Sequence, residues 1–261
     1  MFTKKEKFSV DYTQLLRDVL LEEGTISSCY SMFHNYTLNN QFLAYHQMKM
    51  RGIKISPINS FTGWNKLNRS INKSEKAIYL WQPIVIKEKE LNPKTNKIEE
   101  VEKVVFTFKP RWFALSQTNG AEIKPEDIKI GGFNFENVYK TFGIKLVDFD
   151  SLNGNVQGFA RVDKKELAIN PLDKHAEMTI LHEVAHIVLN HSEVDYGRDM
   201  QELEAETVAY IVGSVLKLDD KMLSDSRGYV QGWFKGNEIP PKHANNIMRV
   251  ADKILKAGFK K

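Results

Sequence analysis

The sequence predicts an α+β protein in two parts, and three observations carry that prediction. Two apolar runs of helical period stand close together in the second half, at residues 173–196 and 201–218, with no Gly or Pro in the first. Two β-rich runs with a polar connection stand in the first half, at residues 77–87 and 103–113. Charge also divides the chain: residues 1–120 hold 18 Lys and Arg against 11 Asp and Glu, and residues 121–261 hold 19 against 22. Two halves of opposite sign suggest two tasks. The expected division is 1–120 and 121–261, with the boundary at 117–125, where Asn-Gly and Pro interrupt regular structure.

In chain order, residues 10–30 and 38–50 read as helices, with Phe42, Tyr45 and Met48 at core spacing, and a short helix follows at 61–67. The strongly charged segment 88–102 reads as an exposed loop between the two strands. Residues 158–162 and 166–170, separated by Asp163-Lys-Lys165, read as a second hairpin. The HExxH helix, in a stretch with no Gly or Pro from 173 to 196, and a second apolar helix from 201 to about 218 complete the list.

Composition narrows the class. With 42% hydrophobic and 27% charged residues, the chain can bury one large core or two modest ones. No run of eighteen apolar residues occurs, so no membrane span is expected. The charged N-terminus lacks an apolar signal core, and the single Cys29 provides no disulfide framework. A cytoplasmic location is the expectation.

The chemistry lies in His182-Glu183-Val184-Ala185-His186. At about 100° per residue, positions four apart differ by roughly 40°, so both imidazoles leave one helix face and can share a Zn2+ ion. Glu183 is then placed to take a proton from water at the metal rather than to bind the metal. By chance this pattern arises in roughly one chain in a hundred of this length. Here Met178, Ile180, Leu181, Val184, Ala185, Ile187, Val188 and Leu189 surround it, and polar groups inside such a helix need partners.

A third ligand is required. His191 does not complete the HExxHxxGxxH pattern, because Leu189 occupies the glycine position and His191 falls one residue short; it reads as a helix-end residue. Glu202 and Glu206 share a face of the next helix, while Glu204 points elsewhere. In zinc hydrolases of the gluzincin type the second helix supplies a Glu, often with a residue four positions later that orients a ligand histidine. The expectation is therefore Glu202 as ligand and Glu206 as orienter, with the roles open to exchange. Tyr229 and His243 are candidates for steadying a developing oxyanion. The hairpin at 158–170 offers an edge strand that can hold an extended peptide.

In the first half, residues 29–87 contain one acid, Glu75, among Lys49, Arg51, Lys54, Lys66, Arg69, Lys73, Lys76 and Lys87. Interleaved are nine aromatics from Tyr30 to Trp81, of which more than half are expected in the core. Cations beside aromatic platforms suit single-stranded nucleic acid. Trp64 is the chosen stacking residue, with Lys49, Arg51, Lys66, Arg69, Lys73 and Lys76 as phosphate contacts.

The segments Phe33-His-Asn-Tyr-Thr-Leu-Asn-Asn-Gln-Phe-Leu43, Phe61-Thr-Gly-Trp64, Lys73-Ser-Glu-Lys-Ala-Ile78 and Phe113-Ala-Leu-Ser-Gln-Thr118 resemble, in order, the N-terminal domain of ArdC-type antirestriction proteins. Glu-Leu-Glu-Ala-Glu206 after HExxH, and Tyr229-Val-Gln-Gly-Trp233 beyond it, are similar to that family's zincin-type metallopeptidase domain. Ser74 and Ala77 replace the usual glycines of the Lys-rich turn, which forms without glycine if its φ values are negative. The resemblance implies a single-stranded-DNA-binding N-terminal domain, with Tyr36 and Asn40 among its contacts, joined to a gluzincin-like metal domain. It further implies protection of incoming plasmid or phage DNA from host restriction, with a host protein as the possible substrate. Two other readings compete: a regulatory zinc protease that cleaves a DNA-bound repressor-type protein, and a binding module with a structural metal. Glu183 argues against the last, since a structural site has no use for a base.

Overall fold

The computed structural model describes residues 10–93, 96–123, 132–150, 156–234 and 238–260; the charged residues 1–7 and the end of the expected boundary at 124–125 lie outside them. The chain divides into two units, Met1–Phe42 with Glu126–Lys261, and Leu43–Pro125. This differs from a division at residue 120. The first helices belong with the C-terminal half, because their apolar faces are covered by its helices.

In that discontinuous unit, α1 (Tyr12–Leu21) packs on the last two helices and α2 (Thr25–Phe33) on the long central one. The single helix expected over 10–30 is broken. Glu22 is extended at φ −102°, and Gly24 takes φ +74°, a left-handed conformation that glycine adopts without a Cβ clash. α3 (Leu38–Met50) starts here, its first N–H donated to Asp252 Oδ1 at 3.0 Å.

The Leu43–Pro125 unit holds the rest of α3, then β1 (Ile58–Ser60), α4 (Phe61–Lys66), β2 (Arg69–Ile71), β3 (Ile78–Asn92), β4 (Lys97–Ala114) and β5 (Thr118–Gly120). The sheet order is β1-β4-β3, antiparallel throughout, and β2 pairs with β5. Residues 88–92 and 97–102 are strand, not loop. The β3–β4 ladder continues through them to Asn92↔Lys97, with Lys87 and Glu100 3.3 Å apart and Lys103 bound to Glu88 and Glu90. A two-stranded ribbon has two solvated faces, so charge alternation does not forbid strands. Cross-strand opposite charges instead favour this register.

Trp64 is 2% exposed, and its indole N–H donates to Phe113 O at 2.8 Å. It is a core residue, not a stacking platform, because α4 is capped by Ser60 and its inner face lies on β4. Of the nine aromatics from Tyr30 to Trp81, Phe33, Phe42, Tyr45 and Trp64 are buried, fewer than expected; Phe61 and Tyr79 are exposed and the rest half-buried. The Lys73–Lys76 turn also departs from expectation, since Ser74 has φ +71°. Arg51 holds it by donating to Ala77 O at 3.1 Å and to Lys76 O, and buried Gln117 donates to Lys76 O at 3.1 Å and to Glu75 at 2.7 Å.

The remainder of the discontinuous unit is α5 (Phe135–Phe142), β6 (Lys145–Leu146), β7 (Gly158–Arg161), β8 (Glu166–Ile169), α6 (Ala176–Leu189), α7 (Arg198–Leu216), α8 (Asp220–Phe234) and α9 (Pro241–Gly258). The α7 helix carries eleven buried residues and packs on α2, α6, α8 and α9, which makes it the centre of this core. The hairpin expected at 158–170 is present as β7–β8, with β6 parallel to β8 and β7 at the sheet edge. Thus the fold is α+β as the sequence predicts.

Two substitutions test the packing. Trp64→Ala removes a buried indole and is expected to cost about 3–5 kcal/mol, read by urea unfolding. Ser74→Gly relieves a left-handed non-glycine residue and is expected to add about 0.5–1 kcal/mol after the entropy of glycine is set against it. A loss of stability in the second variant contradicts the turn geometry.

Candidate metal centre

Helix α6 forms because residues 176–189 contain no helix breaker, and it stops at Asn190, whose φ of +58° closes the last turn on the His186 and Ile187 carbonyls. Its first turn is fixed by Asp173, which accepts from His175 N at 2.8 Å and from the Thr179 hydroxyl at 2.7 Å. Met178, Leu181, Val184, Ala185 and Ile187 are buried, which leaves His182, Glu183 and His186 on the stripe between α7 and β7.

Three donor atoms converge. His182 Nε2 and His186 Nε2 are 3.1 Å apart, and Glu202 Oε2 lies 3.3 Å from the first and 3.5 Å from the second. Tetrahedral coordination with bonds of 2.0–2.1 Å separates its donors by about 3.3 Å. These edges therefore suit a divalent ion, and this is the only His/Cys/Asp/Glu group of three of that kind among the described residues. Glu206 stands on the other side of His182, with Oε2 accepting from Nδ1 at 2.9 Å, which leaves Nε2 directed at the other donors. Arg198 Nε contacts Glu202 Oε1 at 3.3 Å, so Oε2 is the oxygen left toward the histidines.

Burial and neighbouring charge push the groups of the cluster in opposite directions. Burial pulls His182 down, but the hydrogen bonds it donates to Glu202 and Glu206 and the surrounding carboxylates outweigh it and push it up to about 10. His186 is lowered to about 4 by burial and by the charge of His182. Hydrogen bonding to His182 takes Glu202 down to about 2, against the effect of burial. Glu183 is raised by burial and by the charge of Glu202, opposed by charged His182 and a hydrogen bond from the Ala160 backbone.

Glu183 faces β7 and opens into a cleft of about 550 Å³ bounded by Phe159, Ala160 and Arg161 on one side and Arg198 and Glu202 on the other. A further space of about 360 Å³ continues past His182 toward Glu206 and Ser226. Gly158 lets the strand come this close, because a Cβ there would lie 2.8 Å from Thr179 Cγ2 and 2.9 Å from Ala168 O. The arrangement places the Glu183 carboxylate beside three donors that would hold a divalent ion, with the edge strand β7 along the cleft.

Other sequence candidates fall differently. Tyr229 on α8 is 47% exposed and is raised by burial and by Glu202 and Glu206, so it stands in the field of the site. His243 does not face the cleft: its Nδ1 lies 2.9 Å from Glu204 Oε1, so it is engaged with a buried carboxylate and not with an oxyanion. Glu204, which the sequence reading left unassigned, is fully buried and also holds His191 and Tyr196. The sequence signals only that a glutamate on the inner face of an apolar helix needs donors, without saying which residues supply them.

The DNA candidates scatter. Lys49, Lys66, Lys73 and Lys76 are exposed, with Lys49 over the Tyr45 ring. Arg51 and Arg69 are committed to backbone carbonyls, Arg69 to those of Thr118, Gly120 and Ala121. Tyr36 is half-buried and Asn40 buried, both in the discontinuous unit.

Neither a family model nor a curated protein sequence matches the chain. Solved structures do. The metal-free crystal structure of the antirestriction ArdC protein from R388 plasmid superposes with a TM-score of 0.52 at 16% identity, covering 96% of each chain. The Mn(II)-bound structure of that protein gives a TM-score of 0.53 at 12% identity, over 97% of this chain and 99% of the other. The chain therefore has the ArdC fold along nearly its whole length. No helix among the described residues is long and apolar enough to cross a membrane.

The protonation pattern makes a prediction for metal loading. His186 and Glu202 are already deprotonated at neutral pH, whereas His182 holds a proton that an ion must displace. Affinity should thus weaken about tenfold for each unit by which pH falls between 8 and 6. Calorimetry in buffers of different ionisation enthalpy should count one proton released per ion. A count of zero contradicts a charged His182.

Proposed function

We propose that this chain is a mobile-element antirestriction protein that binds single-stranded DNA through its basic unit and carries a zinc metallopeptidase-like site. The observation that carries the reading is the convergence of His182, His186 and Glu202 beside Glu183, in a fold shared from end to end with an antirestriction protein that binds Mn(II). His182, His186 and Glu202 are the proposed ligands, and Glu206 orients His182. A zinc ion held there would supply a Lewis acid able to activate water. Glu183 serves as the base, its carboxylate steered by the Ala160 N–H, and the exposed edge of β7 aligns an extended peptide from a host protein. Tyr229 remains the candidate group for the oxyanion.

What supports DNA binding is charge. The Leu43–Pro125 unit carries 15 Lys and Arg against 7 Asp and Glu, while the rest of the chain carries 22 against 26. The structural division thus sharpens the asymmetry. With Trp64 in the core, the stacking role passes to Tyr79, 39% exposed and stacked on Phe108, and to Phe106, 65% exposed on the same ribbon. Lys66, Lys73 and Lys76 are the phosphate contacts of the reading.

Metal analysis of purified variants tests the first part. One zinc per chain is expected in the wild type and in Glu183→Gln. His182→Ala, His186→Ala and Glu202→Ala should be empty, and Glu206→Ala should bind about 10- to 100-fold more weakly. Loss of metal in Glu183→Gln as complete as in the histidine variants contradicts the assigned roles. A protease of repressor-type proteins would share these results, but not a requirement for the basic unit in binding naked single strands.

A titration with labelled single-stranded DNA tests the second part. The log of affinity should fall with log salt by about 0.7 for each phosphate neutralised, and Lys73→Ala with Lys76→Ala should lower that slope. Phe106→Ala and Tyr79→Ala should each weaken binding by about 1–3 kcal/mol at unchanged stability. Full affinity in both aromatic variants removes the ribbon from the reading.

A further inference from the structure

The two ligand histidines are supported in different ways. His182 has a carboxylate on its Nδ1, whereas His186 Nδ1 meets another imidazole, His191 Nδ1, at 2.7 Å. His191 lies just past the end of α6, 5% exposed, and its Nε2 is 3.1 Å from Glu204 Oε2. Glu204 is 0% exposed, and its Oε1 accepts from His243 Nδ1 at 2.9 Å while Tyr196 OH donates to Oε2.

One arrangement of protons, with a single hydrogen on His191, satisfies every one of these contacts. An ionised carboxylate only accepts, so His191 must donate to Glu204 from Nε2. With the neutral ring's one proton on Nε2, His191 Nδ1 is an acceptor, and the hydrogen between it and His186 must belong to His186 Nδ1. That leaves a lone pair on His186 Nε2, the atom that faces His182 and Glu202. Glu204 is thus connected to the metal-facing nitrogen through a single intervening ring. It lies on the face of α7 away from Glu202, which explains why one helix carries glutamates on both sides.

We propose that Glu204 is a positioning residue for the metal centre, acting through His191 to hold His186 in the tautomer and ring orientation that present Nε2 to the ion. Tyr196 and His243 complete the device by satisfying the carboxylate's remaining lone pairs, so that it neither takes a proton nor turns away. His243 on α9 and Tyr196 in the segment before α7 therefore belong to the support of the metal centre rather than to the reacting cleft.

This inference rests on the zinc reading above, and the experiment separates the two. Long-range 1H–15N spectra of the metal-free protein, with histidine labelled, report the tautomer of each ring without metal or activity. Expected are Nδ1–H on His186 and Nε2–H on His191. The opposite tautomer on either ring overturns the proposal whatever the metal does, whereas failure to bind zinc with these tautomers present counts against the zinc reading alone. In zinc titrations His191→Phe, which keeps a ring of similar size without nitrogen, should weaken binding by about 10- to 100-fold. Glu204→Gln should do the same in the wild-type background but change little once His191 is Phe. Multiplicative losses in the double variant show that Glu204 acts independently of His191 and overturn the relay. If Glu204→Gln does not fold, the His191→Phe titration and its His186 tautomer decide: wild-type affinity with Nδ1–H retained on His186 overturns the proposal.

Discussion

The burial of several carboxylates and imidazoles between two apolar helices is the constraint on which the rest of this structure depends. A carboxylate removed from water without donors costs several kcal/mol, so each glutamate of α7 must meet a partner as the helices close. Glu202 and Glu206 meet His182, and Glu204 meets His191 and His243. Sliding α7 by one residue along α6 would break these pairings together. Register, helix identity and the direction of both ligand rings follow from the same set of contacts.

The surroundings serve that core. The α7 helix is covered by α2, α8 and α9, which are drawn from both ends of the chain, so the metal centre depends on the N-terminal segment although no proposed ligand lies there. On the open side, Gly158 brings β7 against α6 and places the Ala160 N–H on Glu183. The Leu43–Pro125 unit is organised otherwise. Arg51 and Arg69 are spent on carbonyls of its turns, and Lys66, Lys73, Lys76, Tyr79 and Phe106 remain on its surface.

What the sequence revealed depended on the strength of the local signal. Helix α3, the β7–β8 hairpin and the α6–α7 pair have clear apolar periods and flanking breakers, and they are found close to where those signals put them. Gly24 split a helix that periodicity alone made continuous. The ribbon at 88–102 was hidden because a strand solvated on both faces has no apolar alternation to read. Trp64 carried no local mark of burial, and the left-handed Ser74 is imposed by Arg51 and Gln117, partners distant in sequence. Glu204 and His191 were missed for a related reason: their contact joins two elements whose packing no single helix face discloses.

Zinc K-edge X-ray absorption on the zinc-loaded 261-residue chain measures the central claim, that two imidazoles and one α7 carboxylate hold the ion. The account predicts four nitrogen and oxygen neighbours at about 2.0–2.1 Å, with multiple-scattering amplitude for two imidazoles. Amplitude for three imidazoles, which would bring His191 into the coordination sphere, contradicts it.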